Sequence, residues 1–165
     1  MTNMGASGPA LHFLINYKIP VNGHLVAWQY YIGYRSRPCT SYAVIWRETN
    51  GNYLRITETK LSPVEPESGG IRFQYVQDST VAVHKGDFLG FYTDTSVADC
   101  RGNLISFRND NPSDEDAIIY NYHDWQSRPS SLPVIAPEKS EYYEKGKRGV
   151  ALKAFIAGRC TSIAL

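Results

Sequence analysis

The feature that most constrains the fold is an alternation of apolar and polar side chains in many short segments. Residues 11–19, LHFLINYKI, place Leu11, Phe13, Ile15 and Tyr17 at every second position, which is the period of a β-strand. Similar segments follow, separated by Gly, Pro, Asn and Asp at intervals of about 8–12 residues. No window shows a sustained helical period with capping residues. The pattern predicts an all-β protein, an antiparallel, jelly-roll-like β-sandwich of about ten short strands.

One turn and two loops can be placed within this pattern. Residues 40–48 and 52–61 flank Asn50-Gly51, and Asn-Gly accepts the positive φ angles of a type I′ turn, so the two segments predict a hairpin. Trp28 and Trp46 lie inside alternating segments and are expected in the core. Residues 62–70 and 123–149 have no strand pattern, and the second stretch is long enough to be a functional loop.

Length and charge limit the classes of function. The chain has 165 residues and a formal charge of +1, which fits a single domain and gives no basic surface for nucleic acid. Its apolar runs are far shorter than the ~20 residues of a membrane span, and its start lacks the layout of a secretory signal. We expect one sandwich domain over residues 11–158, with tails at residues 1–10 and 159–165.

A charged tripeptide, Lys85-Gly86-Asp87, precedes the apolar segment FLGFY. It resembles short sequences that integrins bind, but it also has a plain structural explanation. Glycine permits a tight bend, and the Asp carboxylate can accept a hydrogen bond from the backbone nearby. We therefore interpret it as a turn that leads into a strand.

Catalytic motifs are absent from the sequence. It contains no Gly-x-Ser-x-Gly, no His-Glu-x-x-His and no glycine-rich phosphate loop, and the three cysteines lack the spacing of a zinc site. His12, His24 and His84 are interpreted as structural residues. A carboxylate pair of the glycosidase type is visible only in a fold, so it stays open, but the expectation is a protein that is not an enzyme.

The acidic segment RNDNPSDEDA concentrates oxygen donors near a proline. Its carboxylates are those of Asp110, Asp114, Glu115 and Asp116, and calcium binds six to eight oxygen ligands of this kind. The spacing is not that of an EF-hand. A calcium site is one interpretation, and a solvated acidic loop is the other.

The residues that follow combine aromatic rings with polar groups. Sugars are commonly held by a ring against their C–H face and by carboxylate, amide or guanidinium groups on their hydroxyls. The candidate ligand-binding residues are Tyr122, His123, Asp124, Trp125 and Arg128. The alternative is that the tyrosines belong to a strand and that Trp125 covers an edge of the sandwich.

Three segments resemble a β-sandwich module of secreted and cell-surface matrix and adhesion proteins of invertebrates. They are KIPVNGHLVAWQYYIG, SYAVIWRETNGNYLRITETKL and VAVHKGDFLGFYTDT, the last followed by GNLISF. The resemblance covers roughly residues 11–122 and implies fold more specifically than function. A distant similarity to jelly rolls of the tumour-necrosis-factor and complement type rests on one turn and the strand number, and is an analogy of fold only.

The resemblance bears on the cysteines. By themselves Cys39, Cys100 and Cys160 leave open three reduced thiols or one disulfide with a third thiol left over. A secreted, oxidising environment implies a disulfide, for which Cys39 and Cys100 are the preferred pair because each lies in a loop between proposed strands.

These observations predict an extracellular, non-catalytic binding or adhesion module. A glycan bound by loops at one end of the sandwich is the first expectation, and calcium is the only cofactor that the sequence suggests. The alternative is a structural or self-assembling matrix protein whose partners are extracellular proteins or further copies in a homo-oligomer. A concave patch with one exposed aromatic residue would favour the glycan, and a flat apolar patch would favour protein contacts.

Overall fold

The computed structural model describes residues 10–32, 40–62, 70–77, 80–94, 107–109, 115–121, 134–135, 143–150 and 152–158. These residues form β-strands joined by turns, and none of them belongs to a helix that could cross a membrane. The strands are β1 (Ala10–Lys18), β2 (Gly23–Ile32), β3 (Thr40–Thr49), β4 (Asn52–Lys60), β5 (Gly70–Tyr75), β6 (Ala82–Val83), β7 (Phe88–Asp94), β8 (Phe107–Asn109), β9 (Glu115–Asn121), β10 (Val134–Ile135), β11 (Tyr143–Val150) and β12 (Leu152–Ala157).

The strands form two antiparallel sheets. The larger sheet has the order β10-β4-β3-β7-β1-β9-β11-β8, and the smaller has the order β12-β2-β5, with β6 also paired to β2. An apolar cluster that draws side chains from both sheets lies between them, as in a β-sandwich. The prediction of an all-β antiparallel sandwich is confirmed, and twelve strands are described where about ten were expected.

The hairpin predicted around Asn50-Gly51 is present. Asn50 and Gly51 have φ angles of 53° and 75°, and Thr49 lies opposite Asn52 at the end of the β3–β4 ladder. Positive φ at both central positions is the type I′ geometry that twists in the same sense as the flanking strands. This local prediction is correct because the turn depends on the two residues themselves.

The expectation that residues 123–149 lack strands is wrong. Both β10 and β11 begin within this stretch. The sequence of β11, YEKGKRGV, has no apolar alternation, but its backbone pairs with β9 on one side and with β8 on the other. Its conformation therefore comes from tertiary pairing, which a pattern of side chains does not reveal.

The inter-sheet core is built around Trp28 of β2. Trp28 is fully buried, and its indole Nε1 donates a hydrogen bond to Thr59 Oγ1 of β4 over 3.0 Å, so the two sheets are joined by a polar contact as well as by packing. The buried members of this cluster are Leu14, Ile19, Leu25, Trp28, Tyr30, Ala43, Ile45, Leu61, Val83, Leu89, Phe91 and Leu152.

A second buried cluster lies on the opposite face of the larger sheet. It takes alternate residues of β1, β3 and β7 together with one from β4, and its members are Leu11, Phe13, Tyr42, Val44, Trp46, Tyr53, Phe88 and Tyr92. The Phe13 ring contacts those of Trp46 and Tyr53, with centroids 4.9 Å apart in each case and tilted planes. The strands β1, β3 and β7 of the larger sheet therefore contribute buried side chains on both faces, and Trp46, like Trp28, is a core residue as predicted.

Gly90 of β7 allows Trp46 to lie across the sheet. A Cβ at position 90 would lie 2.6 Å from Trp46 Nε1 and 2.6 Å from the His12 carbonyl oxygen. Real Cβ atoms do not approach backbone this closely, so any side chain here would displace the indole or β1. Gly90 is thus required by the packing of the second cluster.

The Lys85-Gly86-Asp87 segment is a structural turn, as interpreted from the sequence. Gly86 has a φ of 97°, and Asp87, 2% exposed, accepts the His84 backbone N–H over 2.8 Å. The Arg47 guanidinium donates to both Asp87 oxygens, over 2.7 Å and 2.9 Å. This bidentate contact raises the pKa of Arg47. Because its carboxylate is buried and bonded, Asp87 is not presented to a receptor.

Candidate functional site

The outward face of the smaller sheet carries an exposed apolar surface. On β5, Ile71, Phe73 and Tyr75 are 66%, 49% and 74% exposed, and they alternate along the strand. Phe155 and Lys153 of β12 share this side of the sheet, because the Phe73 and Phe155 rings are in contact. We call these five residues the aromatic face. It is the largest group of exposed apolar side chains in the described part of the chain.

The rings of the aromatic face are not coplanar. Phe73 meets Tyr75 at a centroid distance of 5.1 Å and an interplanar angle of 81°, and it meets Phe155 at 5.2 Å and 65°. The Lys153 ammonium lies 4.8 Å from the centre of the Phe155 ring, a cation–π contact. The three rings therefore do not form one flat platform.

The orientation of β5 is opposite to the usual one for a sandwich. Its apolar residues point outward, while Arg72 and Gln74 are partly buried on the inward side. Gln74 Oε1 accepts hydrogen bonds from the Tyr30 hydroxyl over 2.9 Å and from the Ser62 backbone N–H over 2.7 Å. Gln74 Nε2 donates to the Lys60 carbonyl over 2.9 Å. The polar side of β5 is therefore held inside by three hydrogen bonds of one amide.

This network accompanies the observed register of β5 against β2. A shift by one residue would turn every side chain of β5 to the other face, which would bury Phe73 and Tyr75 but leave Gln74 without its three partners. The exposure of Ile71, Phe73 and Tyr75 therefore goes together with the hydrogen bonds of Gln74.

The Tyr30 hydroxyl is an interior member of the network. Tyr30 is almost fully buried, and burial raises the pKa of its phenol, an effect that a hydrogen bond with Ser62 and the positive charge of Arg72 partly offset. Its proton is thus retained to a higher pH than in an unfolded chain, so the hydroxyl can donate to Gln74 over a wider pH range.

An open cleft runs between β4 and β5 on the inward side of the network. Its volume is about 730 Å³, which lies within the usual range of small-molecule sites. Thr57, Lys60 and Ser62 contribute polar groups, and the exposed Tyr75 lies at its rim. Glu58 also lines it but accepts hydrogen bonds from Arg55 and Tyr92. A ring beside hydroxyl and ammonium groups is a combination that can hold a sugar.

The residues predicted as ligands from the sequence lie largely outside the described part of the chain. Tyr122, His123, Asp124, Trp125 and Arg128 belong to none of the described ranges, and neither do Asp110, Asp114, Cys39 and Cys100. The glycan site, the calcium site and the disulfide therefore stay predictions.

Two of the proposed calcium ligands have a described backbone. Glu115 and Asp116 lie in β9, opposite Arg148 and Lys147 of β11, so this end of the acidic segment is a strand paired with a basic one rather than a loop. Within the described ranges, no group of three or more His, Cys, Asp or Glu residues has the arrangement of a metal site.

The histidines interpreted as structural have different environments. His12 is fully buried in β1, and its ring stacks on Phe91 with centroids 4.3 Å apart, which fits a structural role. His84 is exposed and His24 is half-buried, and both line a cavity of about 400 Å³. These two residues are outside the core.

Sequence reasoning recognises β5 as a strand but misses its outward surface. The segment IRFQYVQ has an apolar set and a polar set in equal alternation. Periodicity shows which residues share a face but does not show which face is buried.

Comparison of the chain with family models, with curated proteins and with solved structures gives no match.

Proposed function

We propose that the protein is an extracellular, non-catalytic binding module that contacts other proteins through the aromatic face. The observation that carries this proposal is the inverted strand β5, which presents Ile71, Phe73 and Tyr75 to solvent while Gln74 holds its polar side inside. It keeps the binding module expected from the sequence, but it places the protein contacts of the alternative function ahead of the glycan.

The chemistry of the surface supports a protein partner. An apolar patch of this size is comparable to the largest patch on a typical monomeric protein, and such patches are often functional. Aromatic residues are enriched at protein interfaces, where a few of them supply most of the binding free energy. The extracellular location is supported by the resemblance of residues 11–122 to secreted adhesion modules.

The test is adhesion to a surface coated with the protein. Purified collagen, fibronectin and laminin, and cultured animal cells, are applied to the wild type, to Phe73→Ser/Tyr75→Ser and to Val21→Ser. Val21 is 49% exposed, as is Phe73, but lies outside the aromatic face. We expect adhesion to fall at least about tenfold, the size of a hot-spot loss, in the double variant and to persist in the control. Equal adhesion of all three proteins, or none to any of them, would contradict the proposal.

A glycan is the second candidate, and the cleft between β4 and β5 is the observation that favours it. Lys60 lines the cleft but not the aromatic face, and Phe73 belongs to the face but not to the cleft. On a glycan array, Lys60→Ala should weaken a true cleft ligand while Phe73→Ser leaves it unchanged. For matrix proteins we expect the reverse, in which Phe73→Ser weakens binding and Lys60→Ala leaves it unchanged. This pair of results would separate the two functions.

Calcium is tested in the same array experiment. If glycan binding disappears with a chelator, the site moves to the acidic segment that includes Asp110, Asp114, Glu115 and Asp116, because calcium would then hold the sugar or its loop. Binding that survives the chelator leaves either the cleft or the segment around Trp125 as the site. An array without signal in either condition removes the glycan as a ligand.

A further inference from the structure

We propose that the partner of the aromatic face is a second copy of this chain, joined in a two-fold dimer whose axis passes near β5. This inference rests on the proposed function and names the partner of the same surface. In a two-fold interface one patch meets its own copy, so the patch must be compatible with itself. The aromatic face meets this condition in its composition, its charge and its area.

The composition is self-compatible because the three β5 side chains of the face are apolar. Ile71, Phe73 and Tyr75 occupy alternate positions of one strand, and packing them against their own copies covers apolar atoms with apolar atoms. The rings of Phe73, Tyr75 and Phe155 are not coplanar, so the dimer requires that opposing rings interdigitate, as they do in the core of a sandwich.

The charge distribution allows two copies to approach. Lys153 carries the only full charge among the outward residues of β5 and β12 in the described ranges. It lies two strands from Phe73 in the order β12-β2-β5, which is about 10 Å at the usual strand spacing. A two-fold axis that runs along β5 therefore places the two Lys153 residues on opposite sides of it, up to about 20 Å apart, which exceeds the Debye length.

The area fits a weak, reversible dimer. From the exposed fractions of Ile71, Phe73 and Tyr75, and the ~150–250 Å² that an aromatic side chain can bury, one copy offers roughly 350 Å² of apolar surface from β5. With Phe155 and the Lys153 stem, two copies together bury on the order of 1,000 Å², which is at the low end for specific interfaces. We expect a dissociation constant in the micromolar range or above. Many copies on one surface would strengthen such a contact through multivalency.

The first experiment is sedimentation of the purified full chain from micromolar to millimolar concentration. We expect a monomer–dimer equilibrium that is at least about tenfold weaker in Phe73→Ser/Tyr75→Ser, the loss expected for hot-spot residues, and unchanged in Val21→Ser. Sodium sulfate should strengthen association, because it favours burial of apolar surface. A protein that stays monomeric at millimolar concentration, or a dimer that survives the double substitution, would overturn the proposal.

The second experiment examines the position of the axis. A residue near a two-fold axis lies close to its own copy, so Phe73→Cys should form a disulfide-linked dimer under mild oxidation to a greater extent than the wild type. Val21→Cys serves as the matched control with the same exposure. Equal linkage of the two variants would place the contact elsewhere and contradict the proposed geometry.

The two proposals fail separately. If the wild type stays monomeric while the double substitution abolishes adhesion of cells or matrix proteins, the aromatic face binds a different protein and the dimer is rejected. If the dimer forms through Phe73 while neither cells nor matrix proteins adhere, the dimer stands and the adhesion function is rejected.

Discussion

The outward faces of the two sheets carry the same kinds of side chain but have opposite environments. On the larger sheet, Phe13 is fully buried among Trp46, Tyr53 and Phe88. On the smaller sheet, Phe73 also contacts two aromatic rings but is half exposed. Aromatic contacts alone therefore do not show whether a face belongs to the core. The difference is that the first cluster is buried, whereas the second is exposed to solvent.

The clearest way to sharpen this comparison is to truncate one phenylalanine on each face. Phe13→Ala should lower the free energy of unfolding by about 3–5 kcal/mol, because it leaves a cavity among buried rings. Phe73→Ala should cost about 1 kcal/mol or less, since only exposed edge-to-face contacts are lost. Urea unfolding at low protein concentration measures both, and equal costs would show that the two faces do not differ in this way.

Substitution of glycine by alanine tests how tightly the buried face is packed against the backbone. Gly90→Ala places a Cβ against Trp46 and the His12 carbonyl, and overpacking of this kind costs about 1–3 kcal/mol. Gly158→Ala is the matched control, because its added Cβ has no atom within 4 Å. Thermal unfolding compares the two variants, and a neutral Gly90→Ala would mean that Trp46 can move away without loss.

The orientation of β5 is tested at Gln74. Gln74→Leu removes the acceptor of the Tyr30 hydroxyl and the partners of Ser62 and Lys60, which should cost about 1–2 kcal/mol. Hydrogen exchange of β5 amides should accelerate relative to those of β3. The same substitution at exposed Gln77 is the control. A stabilised Gln74→Leu protein would show that the amide does not fix the register.

The smallest expected effect is a dependence on alkaline pH. Burial raises the pKa of Tyr30, so above about pH 10 the unfolded chain loses this proton before the folded one does. The stabilisation is complete below that pH and is lost as the pH rises through the folded pKa. The free energies of unfolding of the wild type and of Tyr30→Phe, measured in urea, should therefore converge as the pH rises above about 10. A stability difference that does not change with pH would mean that Tyr30 titrates normally.

Some features of the molecule can be predicted from the sequence because they depend on local chemistry. The φ angles of Asn50 and Gly51 follow from the residues themselves, and Trp28 and Trp46 are recognisable as core residues from the alternation around them. The turn at Asp87 is also predictable, but its partner Arg47 is not, because it lies 40 residues away in the chain.

Other features depend on contacts that the sequence does not contain. The strand β11 is polar and exists through its pairing with β8 and β9. The first strand shows a further limit, because Leu11, Phe13 and Ile15 share a face as predicted whereas Tyr17 packs in the other cluster. An irregularity in the pairing between Leu14 and Lys18 changes the face, and alternation by itself does not reveal such a bulge.

The amide of Gln74 has a consequence for how this surface can change over generations. The hydrogen bonds of Gln74 lie on the inward side of β5, so substitutions at Ile71, Phe73 and Tyr75 alter what the face presents and leave these bonds in place. Most mutations with a large cost in stability act on the core, and these three positions are outside it. The face is therefore evolvable, and the same three positions are a natural place to randomise in a library for engineered binders.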